Sequence, residues 1–93
     1  MNSVEEIKHL AKALIRHMGL KMHSTITNAA ISEELTRNEG ATPWMIDRAI
    51  KALIKSDYIS TKHGIGINNS ESGQILRPKG RRMAKLLRAK GER

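Results

Sequence analysis

The stretch TPWMIDRAIKALIKSDYI, residues 42–59, decides more about this 93-residue chain than any other. Thr42 carries a hydroxyl of the kind that accepts a backbone N–H at a helix start. Pro43 suits the first helical position, where a missing N–H costs nothing. Ile46, Ala49, Ile50 and Leu53 then recur at helical spacing, which predicts a helix over residues 43–56 with one apolar stripe. With that stripe turned inward, the outer side presents Thr42, Trp44, Met45, Asp47, Arg48, Lys51 and Lys55. Beyond Ser56 the period changes. In YISTKHGIGI, Ile59, Thr61, His63, Ile65 and Ile67 alternate with polar or glycine positions, so a strand follows the helix.

Toward the C-terminus, NNSESG has loop composition and QILRP reads as a returning strand ended by Pro78, giving a hairpin over residues 58–78. Residues 78–80 are expected as a turn. A last helix over residues 80–90 follows, with Met83, Leu86 and Leu87 at helical spacing and Arg81, Arg82, Lys85 and Arg88 on the rest of its surface. Only residues 91–93 are expected to be disordered.

Toward the N-terminus, NAAISEELTRNEG predicts a helix over residues 28–38, capped by Thr27 and closed by Gly40. Ala30, Ile31 and Leu35 share its inner side, and Glu33 and Glu34 face away. KMHSTIT leaves room for a brief strand at Thr25 and Ile26. In SVEEIKHLAKALIRHMG, Ser3 and Glu6 have capping-box spacing, and Val4, Ile7, Leu10, Ala11, Leu14, Ile15 and Met18 form an apolar stripe. This first helix, residues 3–18, should end at Gly19 behind Arg16 and His17.

Composition narrows the class. The chain is the size of one domain and has no cysteine, which excludes a disulfide scaffold, a thiolate zinc site and a cysteine nucleophile. No apolar run approaches the ~18 residues of a membrane span, and MNSVEEIKHL has acids where a signal peptide needs positive charge. A soluble, cytoplasmic protein is expected. The net charge of +8 points to a polyanionic partner. Residues 1–46 balance five basic against five acidic side chains, whereas residues 47–93 carry twelve against four. Trp44 and Tyr58 are the only aromatics, too few for a sheet that stacks single-stranded bases. His9 and His17 lie eight residues apart, roughly 12 Å along a helix, so they do not share one ion, and no metal or cofactor site is expected. No nucleophile with its base, paired carboxylates or phosphate-cradling loop is found, and an enzyme is not expected.

The order is helix, short strand, helix, helix, strand, strand, helix, an α+β and mainly helical pattern. From Ile26 to Leu87 the chain resembles the winged helix-turn-helix regulators, in particular those similar to the MarR and PadR groups. AAISEEL looks like the family's second helix, TPWMIDRAIKALIKSDYI like its recognition helix running into the wing, and ILRPKGRRMAKLL like the segment leaving the wing. Ile46 lies eleven positions after Leu35, about four more than the family's minimal form, and four residues is one helical turn. The second helix should therefore be longer by a turn, with Ala41 as the small apolar residue of the connection. Asp57 stands where the family usually has glycine, and aspartate tolerates a left-handed backbone better than most residues.

The resemblance implies a three-helix core, a two-stranded wing and a C-terminal helix that bind double-stranded DNA with the recognition helix in the major groove. It also implies a homodimer through the first and last helices. Arg48 and Lys51 are the first candidates for base or phosphate contacts. Asp47 suits a cytosine amine or the orientation of Arg48. Trp44 either covers the junction of the second and third helices or projects toward a thymine methyl. Asn28, beside Thr27 and the N–H groups of the second helix, suits a phosphate. Lys62, His63 and Arg77 lie where a minor groove or flanking phosphate would be met. Two other classes remain open: a basic ribosomal or ribonucleoprotein component, and a protein-interaction winged helix of a replication or transcription complex.

Overall fold

The computed structural model describes residues 3–90; the capping side chain expected at Ser3 and the tail expected at residues 91–93 lie outside what is described. Four helices and three strands follow one another as α1 (Ser3–Gly19), β1 (Ile26–Thr27), α2 (Asn28–Glu39), α3 (Pro43–Lys55), β2 (Ile59–Ile65), β3 (Glu71–Leu76) and α4 (Pro78–Ala89), with a short 3-10 turn at Ile67–Asn69. This is an α+β domain, mainly helical, with one antiparallel sheet in the order β1-β3-β2.

α1 is the element on which the others pack. Leu10, Leu14, Ile15 and Met18 are almost fully buried, and α1 meets α2, α3 and α4 in turn. Each such side chain removed from water contributes roughly 1.5–3 kcal/mol. α3 answers with Ile46, Ala49 and Leu53, α2 with Ile31 and Leu35, and α4 with Ala84 and Leu87. Several expected core positions are not core. Val4 and Leu86 are exposed, Ala30 faces solvent, and Ile67 leaves the strand for the 3-10 turn, where it is 83% exposed. On α4 the small residue Ala84 makes the close contact with α1 in place of Leu86, because α4 crosses the end of α1 at Gly19, where the two elements meet at the distance of a small side chain.

The connection from α2 to α3 follows its expected chemistry. Thr27 Oγ1 accepts from the Ala30 N–H at 3.1 Å, and Thr42 Oγ1 accepts from the Met45 N–H at 3.4 Å. Between the helices Gly40 sits at φ 64°, a conformation that costs a residue with a Cβ, and its N–H donates to the Thr36 carbonyl at 3.2 Å. Ala41 is buried beneath this turn, as the small apolar residue of the connection should be.

The brief strand expected at Thr25 and Ile26 is found at Ile26–Thr27 and joins the expected hairpin in one sheet. β1 pairs with β3 through Ile26 opposite Gln74 and Thr27 opposite Gly73, while β2 pairs with β3 from Ile59 opposite Leu76 outward to a bulge between His63 and Ile65. The Gln74 side chain ties β3 to β2 and to the start of α2. It is 2% exposed, accepts from Thr61 Oγ1 and donates to Asn28 Oδ1, both at 3.1 Å. A buried amide with both ends satisfied fixes register at little net cost.

The joint after α3 is gripped by the start of α4. Asp57 takes the left-handed conformation at φ 66°, its N–H donating to the Ile54 carbonyl at 3.0 Å, while the Tyr58 N–H donates to the Leu53 carbonyl at 2.9 Å. These two bonds form a Schellman closure. The backbone of Arg77 donates to the Tyr58 carbonyl at 2.9 Å, Arg77 Nε lies 3.2 Å from Asp57 Oδ1, and Lys79 Nζ donates to the Ser56 carbonyl at 2.9 Å. α4 therefore begins at Pro78, two residues before the expected start at Gly80. Proline at the first helical position loses no bond, so the expected turn at residues 78–80 is helix. Gly80 is then pressed against the joint: a Cβ there would lie 2.1 Å from the Tyr58 carbonyl oxygen.

Gly80→Ala should therefore lower stability by more than about 2 kcal/mol, because backbone must move on both sides of the contact. Gly40→Ala, which meets no neighbour but strains a left-handed position, should cost only about 1 kcal/mol. Urea denaturation followed by circular dichroism would rank the two.

Candidate functional site

α3 carries the densest group of the predicted site residues. At about 100° per residue, Trp44, Arg48, Lys51 and Lys55 fall within about 60° of one another. They are all exposed and lie opposite the buried stripe of Ile46, Ala49 and Leu53. From Trp44 to Lys55 the stripe runs roughly 16 Å along the helix. It combines one aromatic surface with three cations.

The stripe is internally ordered. The Arg48 guanidinium lies 5.0 Å from the centroid of the Trp44 ring, a cation–π contact that leaves the indole 53% exposed. Trp44 thus does not cover the junction of α2 and α3 as core; it stands beside Arg48 on the outer side. Asp47 Oδ2 pairs with Lys51 Nζ at 3.0 Å, one turn apart, rather than with Arg48. An exposed pair of this kind contributes a few tenths of a kcal/mol, so Lys51 is held loosely and a stronger anion displaces Asp47 readily. Lys55 forms no ion pair with the described residues. Met45, expected on the outer side, is half-buried against the core and faces Glu6, His9 and Glu39 across a shallow cavity of about 250 Å³.

The remaining predicted residues are not gathered on this stripe. Asn28, at the start of α2, spends its side-chain carbonyl on Gln74 of β3. Arg77 belongs to the joint with Asp57, beyond the C-terminal end of α3. Lys62 and His63 are exposed along β2, with His63 Nδ1 3.0 Å from Ser72 Oγ. Thr42 is committed to its cap.

The basic C-terminal segment divides by function. Lys79 donates to a carbonyl at the end of α3, Arg88 donates to the Gly19 carbonyl at the end of α1 at 3.4 Å, and Arg81 donates to the Leu76 carbonyl at 3.0 Å. Cations at helix carbonyl ends are favoured by the backbone dipole as well as by the bond. Arg82, Lys85 and Lys90 point to solvent. Sequence periodicity could not sort these residues. The partners of Lys79 and Arg88 lie 23 and 69 positions away, so only the fold reveals them.

Among the described residues, no three His, Asp or Glu side chains are grouped to hold a metal ion, and no helix is long and apolar enough to cross a membrane. No protein-family model, curated protein or solved structure matches the chain.

Because the stripe faces solvent, Arg48→Ala and Lys55→Ala should each change stability by less than about 0.5 kcal/mol. Gln74→Ala, by contrast, leaves Thr61 and Asn28 without their partner above a small void and should cost about 2–3 kcal/mol. Thermal melts of the three variants would separate surface from scaffold.

Proposed function

We propose that this domain binds double-stranded DNA as a small transcription regulator of winged helix-turn-helix type, with α3 as the recognition helix and the β2–β3 hairpin as the wing. The observation that carries this reading is the outer stripe of α3: an aromatic and three cations on one face of a helix whose opposite face is locked into the core. A cylinder of this kind fits the major groove, about 12 Å wide, with side chains toward the bases and its flanks toward phosphates. The capped turn at Gly40 and the closure at Asp57 support the reading further, since both ends of α3 are fixed relative to α1 and α2.

Within the proposal each residue has a task. Arg48, pre-oriented by Trp44, is placed for bidentate bonding to a guanine edge. Trp44 offers apolar surface to a thymine methyl. Lys51 exchanges Asp47 for a phosphate, which leaves Asp47 as an acceptor for a cytosine amine. Lys55 and Lys62 take flanking phosphates, and Arg82 and Lys85 add long-range attraction without sequence information. Arg77 acts through Asp57 by holding the wing at its angle.

Affinity for duplex DNA should fall with salt at a log–log slope near −5 if about six phosphates are neutralised. In a selection from random duplexes, Arg48→Ala with Lys51→Ala should erase the preferred site while leaving weak, salt-sensitive binding. A flat salt response, or an unchanged preferred sequence in the double variant, would remove α3 from the role assigned to it.

A further inference from the structure

A second surface, separate from the outer stripe of α3, lies where α1, α3 and α4 meet. It is an open groove of about 360 Å³ with an apolar floor of Ala11, Ile15, Leu53, Tyr58 and Met83. Its rim is cationic. Lys8 and Lys12 stand one turn apart on α1 at its edge. Among the described residues no acidic side chain lines it, and Lys8 and Lys12 form no ion pair with them.

We propose that this groove docks an acidic amphipathic segment of a partner protein. The pairing of floor and rim selects that chemistry. An amphipathic helix laid along α1 would place apolar residues at i, i+4 and i+7 on Ala11, Ile15 and Met83, and carboxylates beside Lys8 and Lys12. The span from Lys8 to Ile15 is roughly 10 Å, so about two turns of the partner are engaged. Other occupants fit less well. A second copy of this chain, which carries a net charge of +8, would in a two-fold arrangement bring the lysine rim against its own image. Duplex DNA would satisfy the lysines but set anionic oxygens over Tyr58 and Met83, surface that gains from leaving water only against apolar atoms. The surface is independent of the DNA reading and would stand if that reading failed.

The test uses the full chain and a synthetic 14-residue Ala-based peptide with leucines at i, i+4 and i+7 and two glutamates at the positions beside Lys8 and Lys12, its fluorescein anisotropy giving the affinity. A second peptide carries Gln for every Glu. The acidic peptide should bind at least about tenfold more tightly than the Gln peptide. Lys8→Gln with Lys12→Gln should weaken it about tenfold, while Arg48→Gln with Lys51→Gln, an equal loss of charge, should change it less than about twofold. Amide and methyl shifts of Ala11, Ile15 and Met83 should move on titration, which keeps the test intact even if a Met83→Glu variant fails to fold. The proposal is overturned if the Gln peptide binds equally or if the two double variants weaken binding alike. It is also overturned if the shifts map to α3's outer stripe, if duplex DNA perturbs the same groove residues, or if the chain sediments as a dimer that Met83→Glu dissociates.

Discussion

The Tyr58 carbonyl comes so close to Gly80 that no side chain fits between them, and much of the molecule depends on that approach. It lets the backbone of Arg77 reach Tyr58, the guanidinium of Arg77 reach Asp57, and Lys79 reach the last turn of α3. The exit of α3, the entry to β2 and the start of α4 are thereby fastened at one point. α3 then has no freedom to pivot at its C-terminal end, and its N-terminal end is fixed by Thr42 and the turn at Gly40. A helix so held presents its outer side as a rigid surface, which is what base-edge recognition requires.

The positive charge follows the same division. Cations near the joint and at the carbonyl ends of α1 and α3 serve the fold, since each meets a carbonyl or a carboxylate within it. Those on the outer side of α3, and Lys8 and Lys12 on α1, are exposed and meet at most a neighbour on their own helix, Arg48 the Trp44 ring and Lys51 the Asp47 carboxylate. Net charge alone would treat the two groups as equivalent. Geometry separates scaffold from surface, and it separates the surface into the aromatic and cationic stripe of α3 and a lysine-rimmed groove with an apolar floor.

What the sequence made legible was local. Thr42, Pro43 and the spacing of Ile46, Ala49 and Leu53 placed α3 because caps and period act within one helix. Asp57 was legible for the same reason, as a left-handed position closing the turn. The short strand was legible to within one residue, but its partner was not, because Ile26 pairs with Gln74 across 48 positions. Leu86 and Ala84 could not be ranked from spacing, since the close crossing of α1 and α4 favours the smaller residue. Within the candidate site, the stripe from Trp44 to Lys55 followed from helical geometry. The pairing of Asp47 with Lys51 rather than Arg48, and the use of Asn28 by Gln74, depended on rotamers and on a distant strand.

The account rests on the outer side of α3 meeting duplex DNA while the joint at Gly80 holds that helix still. An NMR titration of the labelled chain with a random-sequence duplex at low salt tests this directly. The account predicts the largest shifts at Trp44, Arg48, Lys51 and Lys55, with smaller ones at Lys62 and none of comparable size in the groove lined by Ala11 and Met83. Shifts confined to the exposed basic side of α4, or no shifts at all, would contradict it.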